Sequence, residues 1–267
     1  MAVDENVLAH LEAISRKYDV TILHAVEVGS RTWGLANEHS DHDIGFIYVR
    51  PKHTYFQINQ GHRDPSLLEN RDTIEFKVDG FGDLNGFDIE KATTMAYNSN
   101  PAIVDWLRLP EYYTTDNMSE LRELMWKGFS TLKLRQHNVS TLRRNYKAYV
   151  EPRPTVSVKK YLHTVRPLLN AIWFERTANL ELGTECPPVN YLALCNVAAY
   201  NHDLLEGCMQ LLHLKLKGEE RVQRIAGIDR VIEKMLETRE IPQGLTRIAP
   251  DIVQYDRFFA DVVLQQN

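Results

Sequence analysis

The sequence predicts an α+β protein, with a mixed β-sheet and flanking helices over residues 1–115 followed by an all-helical region over 116–267. Three observations carry this prediction. Runs rich in β-branched and aromatic residues (21–28, 42–48, 73–78 and 81–85) all fall in the first part. From Ser119 onward apolar residues recur instead at i, i+3 and i+4, the period of an amphipathic helix. Gly29, Pro51, Gly86 and Pro110 also cut the first part into short segments, whereas the helical part is broken mainly at Pro152, Pro154 and a Gly- and Pro-containing linker at 183–190. With 267 residues, 43% of them hydrophobic and 25% charged, the composition is globular and the length suffices for two domains.

Taken in order, Val7, Leu8, Leu11 and Ile14 predict a helix over 5–17 that packs on the sheet. Residues 21–28 read as a central strand ended by Gly29, and 31–36 as a short helix with Ser30 at its N-cap. A second strand over 42–48 stops at Pro51, and the polar stretch 52–72 reads as an irregular excursion. Residues 73–78 alternate as a half-buried strand, and after an Asp79-Gly80 turn the next strand runs over 81–85, closed by Gly86. Helical spacing then begins at Phe87, ends at 98–100, and restarts behind Pro101 until Pro110 stops it. Beyond Ser119, Leu121, Leu124 and Met125 form one stripe, continued over 132–149. A long helix from about Thr155 buries Val158, Tyr161, Leu162, Val165, Leu169, Ile172 and Trp173, with Pro167 expected to kink it or to sit where it is locally irregular. Tyr161 should be core with its hydroxyl at a cleft edge. Residues 191–216, 219–236 and 252–263 predict three more helices, in which nothing singles out chemistry.

The chemistry concentrates between residues 28 and 43. Val28-Gly29-Ser30-Arg31-Thr32-Trp33-Gly34 reads as a strand delivering a small-residue turn, and Gly29 lets the backbone approach a ligand closely. Asp41 and Asp43 alternate across His42, so on a strand their carboxylates share one face and His42 takes the other. Two aspartates at this spacing also occur at solvated strand ends, and in glycosyltransferases that hold a metal-bound nucleotide sugar. The preceding Gly-Ser turn favours a site for a hard cation. Mg²⁺ takes oxygen ligands and keeps substrate phosphates in its shell, which points to chemistry on a nucleoside triphosphate.

These residues resemble a family. A Gly-Ser turn followed about ten residues later by Asp-x-Asp and an apolar strand is the signature of the DNA polymerase β nucleotidyltransferase superfamily. The wording Gly29-Ser30-Arg31-x-Trp33-Gly34 with Ser40-Asp41-x-Asp43 is similar to its RNA-ligase-associated branch. The resemblance continues through Asp83-Leu84-Asn85-Gly86-Phe87-Asp88, Ser99-Asn100-Pro101 and Lys159-Lys160-Tyr161-Leu162-His163-x-x-Arg166-Pro167, covering most of positions 20–175. It implies a polymerase-β-like nucleotidyltransferase domain over 1–115 and a helical C-terminal domain over 116–267. It also implies transfer of a nucleoside monophosphate from a triphosphate to a hydroxyl of RNA or protein, with pyrophosphate released. Mg²⁺, with Mn²⁺ as a substitute, would be held by Asp41, Asp43 and a third carboxylate. Asp79, Asp83 and Asp88 are the candidates; Asp83 is preferred because it lies on the predicted strand and matches the family's aspartate, whereas Asp88 suits a helix cap. Gly29, Ser30, Arg31, Lys160 and Arg166 are the expected nucleotide-binding residues, the last two as phosphate clamps. The rival from another class is a nucleotide- or RNA-binding module of the same fold without catalysis, or a partner protein in RNA end repair.

Net charge is −5, which argues against a protein coated for nucleic acid, yet the average conceals a local reversal. Residues 131–166 hold nine Lys and Arg against the single acid Glu151, a net of +8 that leaves −13 for the remainder. Such polarity usually faces phosphate. Cys186, Cys195 and Cys208 match no zinc spacing and read as buried thiols. No signal-like segment or membrane-length apolar run stands out, so a cytoplasmic protein is expected.

Overall fold

The computed structural model describes residues 5–37, 40–56, 72–115, 117–178, 186–238, 240–246 and 248–266. They form two compact units. One comprises Met1–Arg31, Asp41–Phe129 and Ala249–Asn267; the other comprises Thr32–Ser40 and Ser130–Ile248. This division differs from a single boundary after residue 115. The chain leaves the first unit after Arg31, returns at Asp41, and comes back once more for its C-terminal helix. Most of the expected excursion at 52–72 lies outside the described residues.

The first unit is built on five strands: β1 (Thr21–Glu27), β2 (His42–Val49), β3 (Thr73–Val78), β4 (Gly82–Asp88) and β5 (Glu111–Thr114), in the order β3-β4-β2-β1-β5. β2 and β4 run parallel and the other neighbours antiparallel, so the sheet is mixed. One face packs on α1 (Glu5–Tyr18), whose Val7, Leu11 and Ile14 are buried with Ile22, Ile44, Phe46, Tyr48, Ile74 and Leu84. On the other face Trp106 of α4 (Pro101–Arg108) stacks on Phe87, ring centroids 4.5 Å apart and 11° from parallel. It also lies over Gly45, where an added Cβ would stand 2.7 Å from Trp106 Cζ2.

β4 runs to Asp88 instead of closing at Gly86. Gly86 is a strand residue whose missing side chain makes room for Phe46; a Cβ there would meet Phe46 Cδ2 at 2.8 Å. α3 (Ile89–Tyr97) then starts on Asp88, whose carboxylate accepts from Glu90 N–H at 2.9 Å. α5 (Asn117–Lys127) and the C-terminal helix α11 (Ile252–Leu264) complete this unit, joined where Tyr255 Oη donates to the Leu124 carbonyl at 2.7 Å.

The second unit holds α6 (Thr131–Asn145), which continues as a π-helical turn over Tyr146–Val150, with α7 (Val158–Thr177), α8 (Tyr191–Cys195), α9 (His202–Leu216) and α10 (Ala226–Glu237). It is not all-helical. β6 (Thr155–Ser157) pairs antiparallel with β7 (Arg221–Gln223), so α7 starts at Val158 and not at Thr155. Asn201 caps α9 by accepting from Leu204 N–H at 3.1 Å, which divides the run expected over 191–216. Pro167 lies inside α7, where its missing N–H leaves the His163 carbonyl without its i+4 donor. Asn145 Nδ2 supplies one instead, at 2.9 Å. Tyr161 is fully buried, and its hydroxyl donates to Asp229 Oδ1 at 2.5 Å and accepts from Ile225 N–H at 3.1 Å; it is an interior link to α10, not a cleft edge. Among the described residues no helix is long and apolar enough to cross a membrane.

Candidate active site

Asp43 and Asp83 are direct cross-strand partners in the parallel β2/β4 pairing, one step in from His42 and Gly82. Partners opposite one another on adjacent strands point to the same face, about 4.8 Å apart along the pairing direction. That face is the one opposite α1, because Ile44, Phe46 and Leu84 alternate onto the α1 side. Asp41 precedes β2 by one residue and is exposed, as is Asp83. Asp88 lies on the other face, five residues further along β4, with its carboxylate accepting from Tyr55 Oη at 2.9 Å. Of the candidates for a third carboxylate, only Asp83 is thus brought beside Asp43; Asp79 lies in the exposed turn between β3 and β4.

The turn before β2 is fitted to Asp43. Gly29 has φ +70°, and a Cβ there would stand 2.7 Å from Asp43 Cγ and 2.9 Å from its Cβ, with Oδ2 nearer still. The carboxylate therefore occupies the space that a side chain at position 29 would fill. Val28 N–H donates to the Asp43 carbonyl at 2.7 Å, and Arg31 Nε donates to the Asp41 carbonyl at 3.4 Å, so the turn is bonded to the start of β2. Ser30 is in the first turn of the four-residue α2 (Gly29–Thr32), which begins one residue ahead of the expected N-cap and is shorter than expected.

Behind Asp43 stands a residue that sequence reasoning missed. Glu27, mostly buried at the end of β1, accepts from Asp43 N–H at 3.1 Å and from Tyr112 Oη at 2.7 Å, and its Oε2 lies 2.9 Å from His42 Nδ1. His42 in turn stacks on Phe81 with centroids 4.8 Å apart and 9° between planes. His42 points away from Asp43, as the alternation predicts. The one signal available was an acid closing a mostly apolar strand, two residues before Gly29.

Lys160 and Arg166 both lie in the helical unit, on α7. Arg166 stacks its guanidinium on Trp33, 4.4 Å from the ring centroid, and His163 meets the same indole edge-on at 5.2 Å. Trp33 itself packs on the core of this unit, and its carbonyl accepts from Tyr191 N–H at 2.8 Å. Lys160 Nζ sits 4.6 Å from the Tyr149 centroid. Burial first, then Lys159, Lys160, Arg166 and Lys215, push the His163 pKa down to about 4, so its ring is neutral near pH 7.

Among the described residues no three His, Cys, Asp or Glu side chains are grouped as a metal-binding set. The donors at Asp41, Asp43 and Asp83 still suit Mg²⁺, which binds through one or two carboxylates and completes its shell with water and substrate phosphate rather than a closed protein cage. The absent side chain at Gly29 against Asp43 is a second point of fit.

A solved nucleotidyltransferase-like protein from Exiguobacterium sibiricum 255-15 matches over 96% of this chain and 79% of its own, at 12% identity and a TM-score of 0.30. The uncharacterized protein YcgL of Bacillus subtilis strain 168 is 32% identical over 236 residues, 88% of this chain and 84% of that protein. The model of the RNA repair pathway DNA polymerase beta family matches residues 3–261, the turn, all three aspartates and both units included. The chain belongs to that family.

Proposed function

We propose that this protein is a metal-dependent nucleotidyltransferase that moves a nucleoside monophosphate from a nucleoside triphosphate to a hydroxyl of an RNA end. The observation that carries the proposal is the register that sets Asp83 opposite Asp43, on the face where Gly29 leaves room for the Asp43 carboxylate. Asp41, Asp43 and Asp83 would hold Mg²⁺, or Mn²⁺ in its place. When bound, the metal supplies charge neutralisation of the triphosphate and acidifies the attacking hydroxyl. Asp83 takes the proton of that hydroxyl, whose oxygen forms a bond to the α-phosphorus as the bond to the bridging oxygen breaks and pyrophosphate departs. The backbone at Gly29 and the Ser30 hydroxyl hold phosphate oxygens, with Arg31 as their counter-charge. Lys160 and Arg166 are proposed as further phosphate-binding cations; replacing either with Ala should weaken triphosphate binding by roughly 1.5–3 kcal/mol.

Pyrophosphate release from each of four radiolabelled triphosphates, with Mg²⁺ and a set of RNA ends, tests this proposal. Turnover with one pairing, lost by orders of magnitude in Asp83→Asn while triphosphate affinity falls far less, is the expected result. Triphosphate and metal binding without any pyrophosphate release would favour the second reading, a nucleotide-binding module without catalysis.

A further inference from the structure

The positive charge of residues 131–166 separates into two places within the helical unit, and the one on α6 has no part in the proposed chemistry. There a groove of about 690 Å³ is lined by Gln136, Ser140, Arg143, Arg144 and Lys147 of α6 and its π-turn, and by Thr238 after α10. The α6 residues follow at i, i+4, i+7, i+8 and i+11, one face of a helix about 16 Å long. From Thr131 to Val150 there is no Asp or Glu. Arg135, also at the groove, is neutralised by Glu175, to whose Oε1 it donates at 2.7 and 2.9 Å. Arg143, Arg144 and Lys147 are exposed, and among the described residues none of them forms an ion pair. Arg143 Nη2 donates to the Leu236 carbonyl at 3.3 Å.

We propose that this groove binds the phosphodiester backbone of single-stranded RNA. Guanidinium groups grip phosphate through paired N–H donors, and Gln136 and Ser140 add the neutral hydrogen-bonding groups that phosphate and sugar contacts use. A line of about 16 Å is longer than one compact triphosphate needs and suits several successive phosphates of an extended chain. The choice of RNA over other polyanions rests on the function proposed above; the affinity for a phosphodiester chain does not.

The test is fluorescence anisotropy of a labelled twelve-nucleotide RNA with the full chain across a salt series. Three phosphate contacts give a slope of log K against log salt of about −2. The triple variant Arg143→Gln, Arg144→Gln, Lys147→Gln should bind RNA at least tenfold more weakly at low salt with a nearly flat slope, while Arg143→Lys with Arg144→Lys stays within about threefold. Mg²⁺-dependent triphosphate binding by the triple variant should be unchanged, which separates the groove from the aspartate site. RNA binding within twofold of wild type in the triple variant, no RNA affinity in the wild type, or tenfold tighter binding of single-stranded DNA of equal length would each overturn the proposal. A protein that binds RNA in this way but never releases pyrophosphate would sink the catalytic proposal and leave this one standing.

Discussion

Gly29→Ala is the substitution whose consequence the structure sets most tightly. The backbone at position 29 has φ +70°, a conformation that costs an L-residue roughly 1–2 kcal/mol. The new methyl would also stand against Asp43 Oδ2, Cγ and Cβ. Rotating χ1 can carry the oxygen and Cγ away but leaves the Cβ contact at 2.9 Å, so the start of β2 must shift as well. Such overpacking costs about 1–3 kcal/mol. Gly80 supplies the control, because it has φ +75° but nothing within 4 Å of an added Cβ, so Gly80→Ala carries the backbone cost alone. Urea melts should therefore place Gly29→Ala about 1–3 kcal/mol below Gly80→Ala, the overpacking difference. Because a misplacement near 1 Å costs about 10²-fold in a positioned reaction, Gly29→Ala should lose turnover on that scale while Gly80→Ala keeps it. Equal stabilities for the two variants, with turnover preserved in both, would refute the fit of Asp43 into the space at Gly29.

The depressed His163 pKa makes a pH prediction: stability is fully present above the ordinary value of 6.5 and is lost as pH falls toward about 4, by about 3 kcal/mol in all. Denaturant titrations over that window should show His163→Gln without this loss; the same decline in both proteins would refute it. Asn145→Leu removes the donor that replaces the missing N–H of Pro167 and should cost about 1–3 kcal/mol. Pro167→Ala restores that N–H, so the double variant should regain most of the loss in a melting cycle, and purely additive effects would count against the bond. Glu27→Gln has one acceptor oxygen for two donors, Asp43 N–H and Tyr112 Oη, so it should destabilise by about 1–3 kcal/mol. Adding Tyr112→Phe should recover part of that loss in thermal melts and part of the Mg²⁺-dependent triphosphate affinity; no recovery would show that the two donors do not compete.

What the sequence makes legible here is what depends on near neighbours. The alternation of Asp41 and Asp43 about His42, the Gly29 turn and the helical spacing of 158–172 are all periodicities of one segment. β5 has four residues with almost no buried face, and β6 and β7 have three each, too few for alternation to register. That α11 joins the sheet unit depends on Tyr255 finding a carbonyl 131 residues away, which no local pattern encodes. The same holds for the stacking of Arg166 on Trp33 inside the helical unit, which brings together residues far apart in the chain.

Asp83 is the instructive middle case. Its strand was legible but its partner was not, because a parallel pair is joined through β3 and the chain between carries no statement of register. Hydrophobic alternation narrows the choice: Ile44 and Leu84 must both face α1, and a slip of one residue would turn Leu84 to solvent and Asp83 into the core. The burial of Ile44, Phe46 and Leu84 therefore fixes the parity that puts Asp43 and Asp83 on one face. It leaves open slips of two residues, and these are opposed by glycines. Gly82 lies against His42, and Gly86 under Phe46, in each case where a Cβ would collide. A slip by two would set Leu84 or Asp88 against one of those positions. The apolar pattern thus chooses the face and two glycines choose the row, so the carboxylate pair is a consequence of packing that lies mostly outside the site itself.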